Sequence, residues 1–323
     1  MPTREGGDRS LGALLNAYLD ELRARGVSLF LEQRARLVLP RLFAHLRDQG
    51  VREVRAVSEA HLIAFARHLA AVPKKRGPEG AKLSPGTQGC YLDSVRGFFA
   101  FLEKRGVILI NPALELPTPK ALRLPRRVLS EAEARRLMNA PSRVSVLGHR
   151  DQAILETLYG TGIRRSECLR LDVTDLDLGQ ELLFVRNGKG KKDRLVPLTG
   201  QARAALDGYL RDGRPELVND SREVALFLSK YGHRLGPTQL YALLRTHARA
   251  AGIKGPIFPH VMRHSYATHL LKGKASIRHV QELLGHQSLQ ATALYTRVDV
   301  EDLREVLRRC HPRERPRQRQ RRR

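Results

Sequence analysis

Acidic charge, cysteine and long apolar runs are all scarce in this chain. Its 323 residues hold 33 Asp and Glu against 58 Lys and Arg, a formal net charge of +25. Such a surplus points to a polyanion as partner, either nucleic acid or an anionic membrane. No uninterrupted stretch of apolar residues exceeds five, far short of the roughly 20 that span a bilayer. A transmembrane helix and a signal-peptide core are thereby excluded, no amphipathic anchor stands out, and DNA or RNA is favoured over a membrane. The three cysteines, Cys90, Cys168 and Cys310, are far apart and lack CxxC or CxxH spacing. Neither a disulfide framework nor a zinc site is suggested, which fits a reducing, cytoplasmic setting. The chain also lacks a GxxxxGK[ST] loop and clustered carboxylates, and so shows no sequence sign of an ATP site or a metal cofactor.

The length suffices for two domains. Residues 1–9 are polar and glycine-containing and read as disordered; Leu11, Leu14, Leu15, Tyr18, Leu19 and Leu22 then follow helical spacing. A second apolar stretch over about 30–48 contains Pro40, which should kink or interrupt it. A third has Leu62, Phe65, Ala66 and Leu69 on one face. A fourth starts at Ser84-Pro85, buries Tyr91, Val95, Phe98, Phe99 and Leu102, and ends at Gly106. Together these predict a helical domain over 10–106. The loop Lys74-Lys75-Arg76-Gly77-Pro78 fits a solvated charge run as well as a DNA contact. Prolines at 112, 117, 119 and 125 mark a basic linker over 107–127.

A second domain is expected over 128–311. Ser130 and Glu133 form a capping-box pattern, and the spacing is helical from there to about 160. A hairpin follows, with Leu182-Leu183-Phe184-Val185 and Leu195-Val196-Pro197-Leu198 flanking a Gly-Lys-Gly-Lys turn. Helices resume near 202–211, 237–251, 260–272, 276–284 and 300–309. The fold class is mainly α with a small antiparallel sheet. Residues 312–323 hold seven Arg and one Glu and read as a disordered tail that binds polyanions without sequence preference.

The candidate chemistry is spread over four places. Thr161-Gly162 closes one helix and sets Arg164 and Glu167 one turn apart at the start of the next, where a guanidinium suits a phosphate. Pro259 can start a helix that carries His260 and Arg263 on one face, a titratable ring beside a fixed cation. Leu284-Gly285-His286 precedes Tyr295 by a segment that must break if the two side chains are to meet, since nine residues of continuous helix turn them to opposite faces. A phenol with its usual pKa near 10 needs a base and nearby cations to act as a nucleophile. Lys189, in the hairpin turn, is the candidate acid. Singly, each of these fits an ordinary role: a surface ion pair, a basic helix face, a core aromatic, a solvated lysine.

Taken in order, Arg164, Lys189, His260-x-x-Arg263, His286 and Tyr295 resemble the signature of the tyrosine recombinases, also called phage-type integrases, and most closely their bacterial Xer-type members. The text around them is similar too: Gly160-Thr-Gly-Ile-Arg164-x-Ser-Glu167, the Arg263-His-Ser-Tyr-Ala-Thr-His269 segment, and Leu283-Leu-Gly-His286. Met262 stands where leucine is usual, a near-isosteric swap. The resemblance covers nearly the whole chain, with 10–106 similar to the family's helical core-binding domain and 128–310 to its catalytic domain.

The resemblance implies that Tyr295 attacks the scissile phosphate and leaves a 3′-phosphotyrosine and a free 5′-hydroxyl. It further implies that Arg164 and Arg263 hold the non-bridging oxygens, that His260 accepts the tyrosine proton and that Lys189 protonates the departing oxygen. His286 would hydrogen-bond the phosphate or the nucleophile, and Glu167 would orient Arg164. Arg165, His264, His269, His279, Tyr266 and Tyr159 match supporting positions and are expected to pack or face solvent, His264 being the exception that could cap or orient. The partners implied are double-stranded DNA, a homo- or hetero-tetramer on two DNA sites, and accessory DNA-binding or translocase proteins. The segment 300–309 resembles the helix by which one subunit docks on its neighbour. A non-cleaving DNA-binding protein of the same fold and a type IB topoisomerase-like activity are the competing readings.

Overall fold

The apolar spacing of the first residues becomes α1 (Leu11–Ala24), followed by α2 (Leu29–Asp48), α3 (Glu59–Ala71) and α4 (Pro85–Lys104). The computed structural model describes residues 11–73, 80–119, 127–142, 144–186, 193–285 and 300–314, and it divides into two units, Met1–Leu124 and Pro125–Arg323. In the first unit the helices share one core, in which Leu14, Leu42, Leu62, Phe65, Phe98 and Phe99 are buried. Ser84 caps α4 by accepting from the Thr87 N–H at 3.3 Å, with Pro85 in the first turn as its fixed φ allows.

Two expectations for this unit need correction. Pro40 does not interrupt the second helix: α2 runs through it. Proline removes one helical donor, but Pro40 is on the exposed side, where water can serve the carbonyl left over, while Val38, Leu39 and Leu42 stay buried. The stretch expected as linker is folded over its first half. Ile108, Ala113 and Leu116 are buried in the first unit's core, and Arg96 Nη2 donates to Thr118 Oγ1 at 2.6 Å.

The second unit begins with α5 (Glu131–Met138), in which the Ser130 Oγ accepts from the Glu133 N–H at 3.1 Å and Glu133 Oε2 accepts from the Ser130 N–H at 2.8 Å. The helical spacing read from 131 to 160 belongs to two helices, because Ser145 opens a new one by capping the Gly148 N–H at 3.1 Å. That helix, α6 (Val146–Thr161), is buried continuously from Ala153 to Thr161 and forms the centre of the unit. Then come α7 (Arg165–Arg170) and an antiparallel sheet of β1 (Leu176–Asp177), β2 (Leu182–Val185) and β3 (Arg194–Pro197), in that order. Strands β2 and β3 pair with Leu182 opposite Pro197 and Val185 opposite Arg194. The two-residue β1 is too short for an alternation pattern to announce it. The remaining helices are α8 (Gly200–Gly208), α9 (Pro237–Ala250), α10 (Pro259–Lys272), α11 (Ile277–Leu284) and α12 (Val300–Cys310).

Helix α12 buries Leu303, Val306, Leu307 and Cys310 in a cluster with Tyr266, Leu270, Val280, Leu283 and Leu284, so its apolar face is covered by α10 and α11 of the same chain. The residues after it are also held. The His311 ring is buried against the Tyr159 carbonyl at 3.2 Å, Arg313 Nε donates to Glu156 at 3.1 Å, and Glu314 accepts from the Gly200 N–H at the start of α8. The expected tail therefore gives its first residues, 312–314, to the folded unit. Among the described residues no helix is long and apolar enough to cross a membrane.

Candidate active site

The site grows from the end of α6. Gly162 closes that helix at φ +63°, and a Cβ there would sit 2.4 Å from the Tyr266 ring, so both backbone and space require glycine. The chain turns through Ile163 and starts α7 with Arg164 at the N-cap. Glu167, one turn on, accepts from the Arg164 backbone N–H on Oε2 at 2.8 Å and from its Nη1 on Oε1 at 2.7 Å. Arg164 Nη2 donates in turn to the Gly285 carbonyl at 3.1 Å.

Glu167 is gripped from a second side. Arg194, the first residue of β3, donates from Nη1 to Oε1 at 3.1 Å and from Nη2 to Oε2 at 2.8 Å. The Glu167 side chain is only 1% exposed. Burial alone would raise its pKa, but the Arg194 fork and the Arg164 bonds outweigh burial and hold the carboxyl at about 2. It is ionised throughout the neutral range.

Arg263 comes from the first turns of α10. Its Nη1 donates to the Gly162 carbonyl at 2.6 Å and its Nη2 to the Leu284 carbonyl at 2.7 Å. Burial, and after it the nearby Arg164 cation, lower its pKa to about 10, which still leaves it charged at neutral pH. Arg164 and Arg263 thus hold the carboxyl end of α11, where Gly285 turns the chain at φ +62°. Arg194, Arg164 and Arg263 set three positive charges against the one of Glu167, leaving a surplus of two, and a phosphodiester is an anion of the kind this surplus attracts. Two of the five N–H donors of Arg164 and of Arg263 are engaged in the bonds above, and the forked geometry of the rest suits two oxygens at once.

His260 lies in the first turn of α10, one turn before Arg263, and is exposed. Its ring stacks on Phe258 with centroids 5.5 Å apart at 15°. Phe258 meets the edge of Tyr241 from α9 at 5.8 Å and 83°, and Arg165 Nη1 donates to the Tyr241 hydroxyl at 2.5 Å. A chain of ring contacts therefore joins His260 to the residue after Arg164. The sequence showed neither this nor Arg194, because both depend on contacts between elements distant along the chain.

Arg164, Glu167 and Arg263 are brought together, with His260 beside Arg263 on α10. Lys189, His286 and Tyr295 lie outside the described residues. Two of the described tyrosines that flank the motifs, Tyr159 and Tyr266, are packing residues. Both are buried, and burial raises the pKa of each. Tyr159 is bonded to His269 Nδ1 at 2.7 Å, and the opposite Nε2 faces the Leu129 carbonyl at 2.8 Å. Since a carbonyl only accepts, Nε2 carries the proton and the Tyr159 hydroxyl donates. Among the described residues no group of three or more His, Cys, Asp or Glu is gathered as a metal site.

Comparison with known proteins adds the following. The model of the phage integrase family matches residues 127–302. Over 299 residues the chain is 38% identical to tyrosine recombinase XerC 2 of Ralstonia nicotianae, covering 92% of this chain and 85% of that one. Over 316 residues it is 39% identical to tyrosine recombinase XerD of Mycobacterium tuberculosis, covering 95% of this chain and 100% of that one. Among solved structures, XerH recombinase bound to a palindromic difH substrate in a post-cleavage complex shares the fold at a TM-score of 0.65 and 22% identity, over 86% of this chain and 78% of that one. A lambda integrase tetramer bound to a Holliday junction does so at 0.65 and 18%, over 88% and 76%.

Proposed function

This chain belongs to the phage integrase family, and on that premise we propose that it is a site-specific recombinase whose nucleophile is Tyr295. The Tyr295 hydroxyl gives its proton to His260 and attacks the scissile phosphorus. The bond from phosphorus to the 5′-oxygen breaks, and Lys189 protonates that oxygen. The energy of the phosphodiester is kept in the 3′-phosphotyrosine, so rejoining needs no ATP. A 5′-hydroxyl from a second strand then attacks the phosphotyrosine and releases the phenol. Arg164 and Arg263 hold the non-bridging oxygens as charge gathers on them, an effect worth about 3–4 kcal/mol for one well-placed donor. Glu167 orients Arg164, and His286 hydrogen-bonds the phosphate or the nucleophile.

The observation that carries this reading is the convergence of Arg164 and Arg263 on the end of α11, one residue before His286. The substrate is double-stranded DNA, gripped through its phosphates by a chain of net charge +25. The first unit serves as a DNA-binding domain, and four subunits act on two sites. A tetramer bound to a Holliday junction is known for the lambda integrase named above.

The test is to incubate the chain with nicked, fragmented genomic DNA from its own source and resolve the products on a denaturing gel. Protein-linked DNA that disappears with Tyr295→Phe is the expected result, and sequencing the linked DNA identifies the site. No adduct would leave a DNA-binding protein without cleavage, and the same amount from Tyr295→Phe would rule out Tyr295 as the nucleophile. Relaxation of plasmid DNA of any sequence would indicate a topoisomerase instead.

A further inference from the structure

Glu167 has two guanidiniums on it, and only one belongs to the proposed mechanism. The other, Arg194, opens β3, on the return side of the hairpin whose turn contains Lys189 in the sequence. Its side chain is 15% exposed, it forks onto both oxygens of Glu167, and its Nε is buried with no hydrogen-bond partner among the described residues. Its stem also lies against Gly285: a Cβ on that glycine would come within 3.0–3.1 Å of Arg194 Cδ, Nε and Cζ. One side chain thus touches the carboxylate that orients Arg164 and the residue where the chain leaves α11 for His286.

A surface ion pair would not be built in this way. Exposed pairs contribute little, and a guanidinium largely removed from water is costly unless its partner is placed to receive it. Arg164 reaches Oε2 of Glu167 through its backbone N–H and Oε1 through Nη1, and Arg194 forks onto the same two oxygens, so each oxygen accepts one bond from each arginine. The Arg164 guanidinium itself holds only Oε1, and it is the Arg194 fork that fixes the plane of the carboxylate on which Arg164 rests.

We propose that Arg194 is a positioning residue for strand cleavage, which aligns Arg164 through Glu167 and sets the exit of the chain from α11 by the packing of its stem against Gly285. This rests on the strand-cleavage reading above. Arg194 does not itself hold the phosphate. Its contribution passes through Glu167, and this separates it from Arg164 and Arg263, to which the proposed mechanism assigns the phosphate. A displacement of one ångström in an aligned group costs on the order of 10²-fold in rate, and that is the scale expected for its loss.

The experiment uses the full-length chain and a nicked duplex carrying a site recovered from trapped genomic DNA, with the rate of covalent adduct formation measured at saturating protein and binding measured by gel shift. Arg194→Gln is expected to bind as the unaltered chain does and to form adduct about 10²-fold more slowly. In a Glu167→Gln background the same change should cost about twofold or less, because the group through which it acts is gone. Arg194→Lys keeps the charge without the fork and should fall between, so it reports on the role even if the glutamine variant folds poorly. Equal rates for Arg194→Gln or Arg194→Lys and the unaltered chain would overturn the proposal. So would losses that multiply in the double variant, since Arg194 would then act on the substrate directly. Failure of the unaltered chain to form any adduct would instead remove the strand-cleavage reading itself.

Discussion

Arg164 and Glu167 are joined twice, by the backbone N–H of Arg164 at 2.8 Å and by its Nη1 at 2.7 Å. The same carboxylate therefore caps the helix and orients the side chain that precedes it. With Arg194 added, Glu167 becomes a buried anion that is stable only while its cations stay in place. Its effect on the fold should depend on pH in a definite direction.

The folded-state pKa of Glu167 is lowered from 4.5 to about 2. Stability from this source is present above about pH 4.5 and is lost as pH falls toward 2, because the unfolded carboxylate takes up its proton first. The contribution at neutral pH is on the order of 3 kcal/mol. Urea unfolding of the unaltered chain and of Glu167→Gln should give a stability gap at pH 7 that narrows at pH 3. A gap unchanged between these two pH values would mean that the carboxylate is not held ionised by its arginines.

Arg263→Ala should reduce adduct formation by about 10²–10³-fold while leaving most DNA affinity intact, since one well-placed donor carries that much of a phosphoryl transition state. Single-turnover cleavage and gel shift on the same duplex separate the two effects. A loss confined to affinity would place Arg263 among the general backbone contacts.

Phe258→Ala should slow cleavage by roughly 2- to 10-fold, the range expected when an aromatic pair worth about 0.5–1.5 kcal/mol no longer holds the His260 ring. Phe258→Tyr should restore the rate, because it keeps the ring against which His260 stacks. An unaffected rate in the alanine variant would show that the stacking on Phe258 does not orient His260.

Gly162→Ala should destabilise the second unit by about 2 kcal/mol or more, combining the cost of a positive φ with a Cβ driven into the Tyr266 ring. Thermal melting reads the loss. Gly252→Ala, also at positive φ but in open space, supplies the comparison and should cost less.

Much of this architecture is legible in the sequence. The apolar spacing marks the helices of the first unit, Ser130 with Glu133 marks the start of α5, and Gly162 and Gly285 mark the two breaks at the site. The Arg164–Glu167 pair is legible because its two members are one helical turn apart. Arg194 is not, since it ends the run Lys191-Lys192-Asp193-Arg194, which looks like solvated charge, and its partner lies 27 residues back. Helix α12 shows the same limit from another direction. Its amphipathic face indicates that something covers it, but only the packed structure shows that the cover is α10 and α11 of its own chain. Pro40 is the opposite case: a local rule foretold a disturbance, and the exposed side of α2 absorbed it.

The carbonyls of Leu284 and Gly285 are the negative pole of the α11 dipole, and Arg263 and Arg164 are the cations that neutralise it. A helix end of this kind normally takes lysine, arginine or solvent as its cap, at a benefit of a few tenths of a kcal/mol to about 1 kcal/mol. Here the caps are the groups assigned to the phosphate. Folding and chemistry then draw on the same two side chains, and a variant that loses either one should show a frayed α11 terminus in amide exchange as well as slower cleavage. Both cations are already fixed on the α11 terminus by the fold itself.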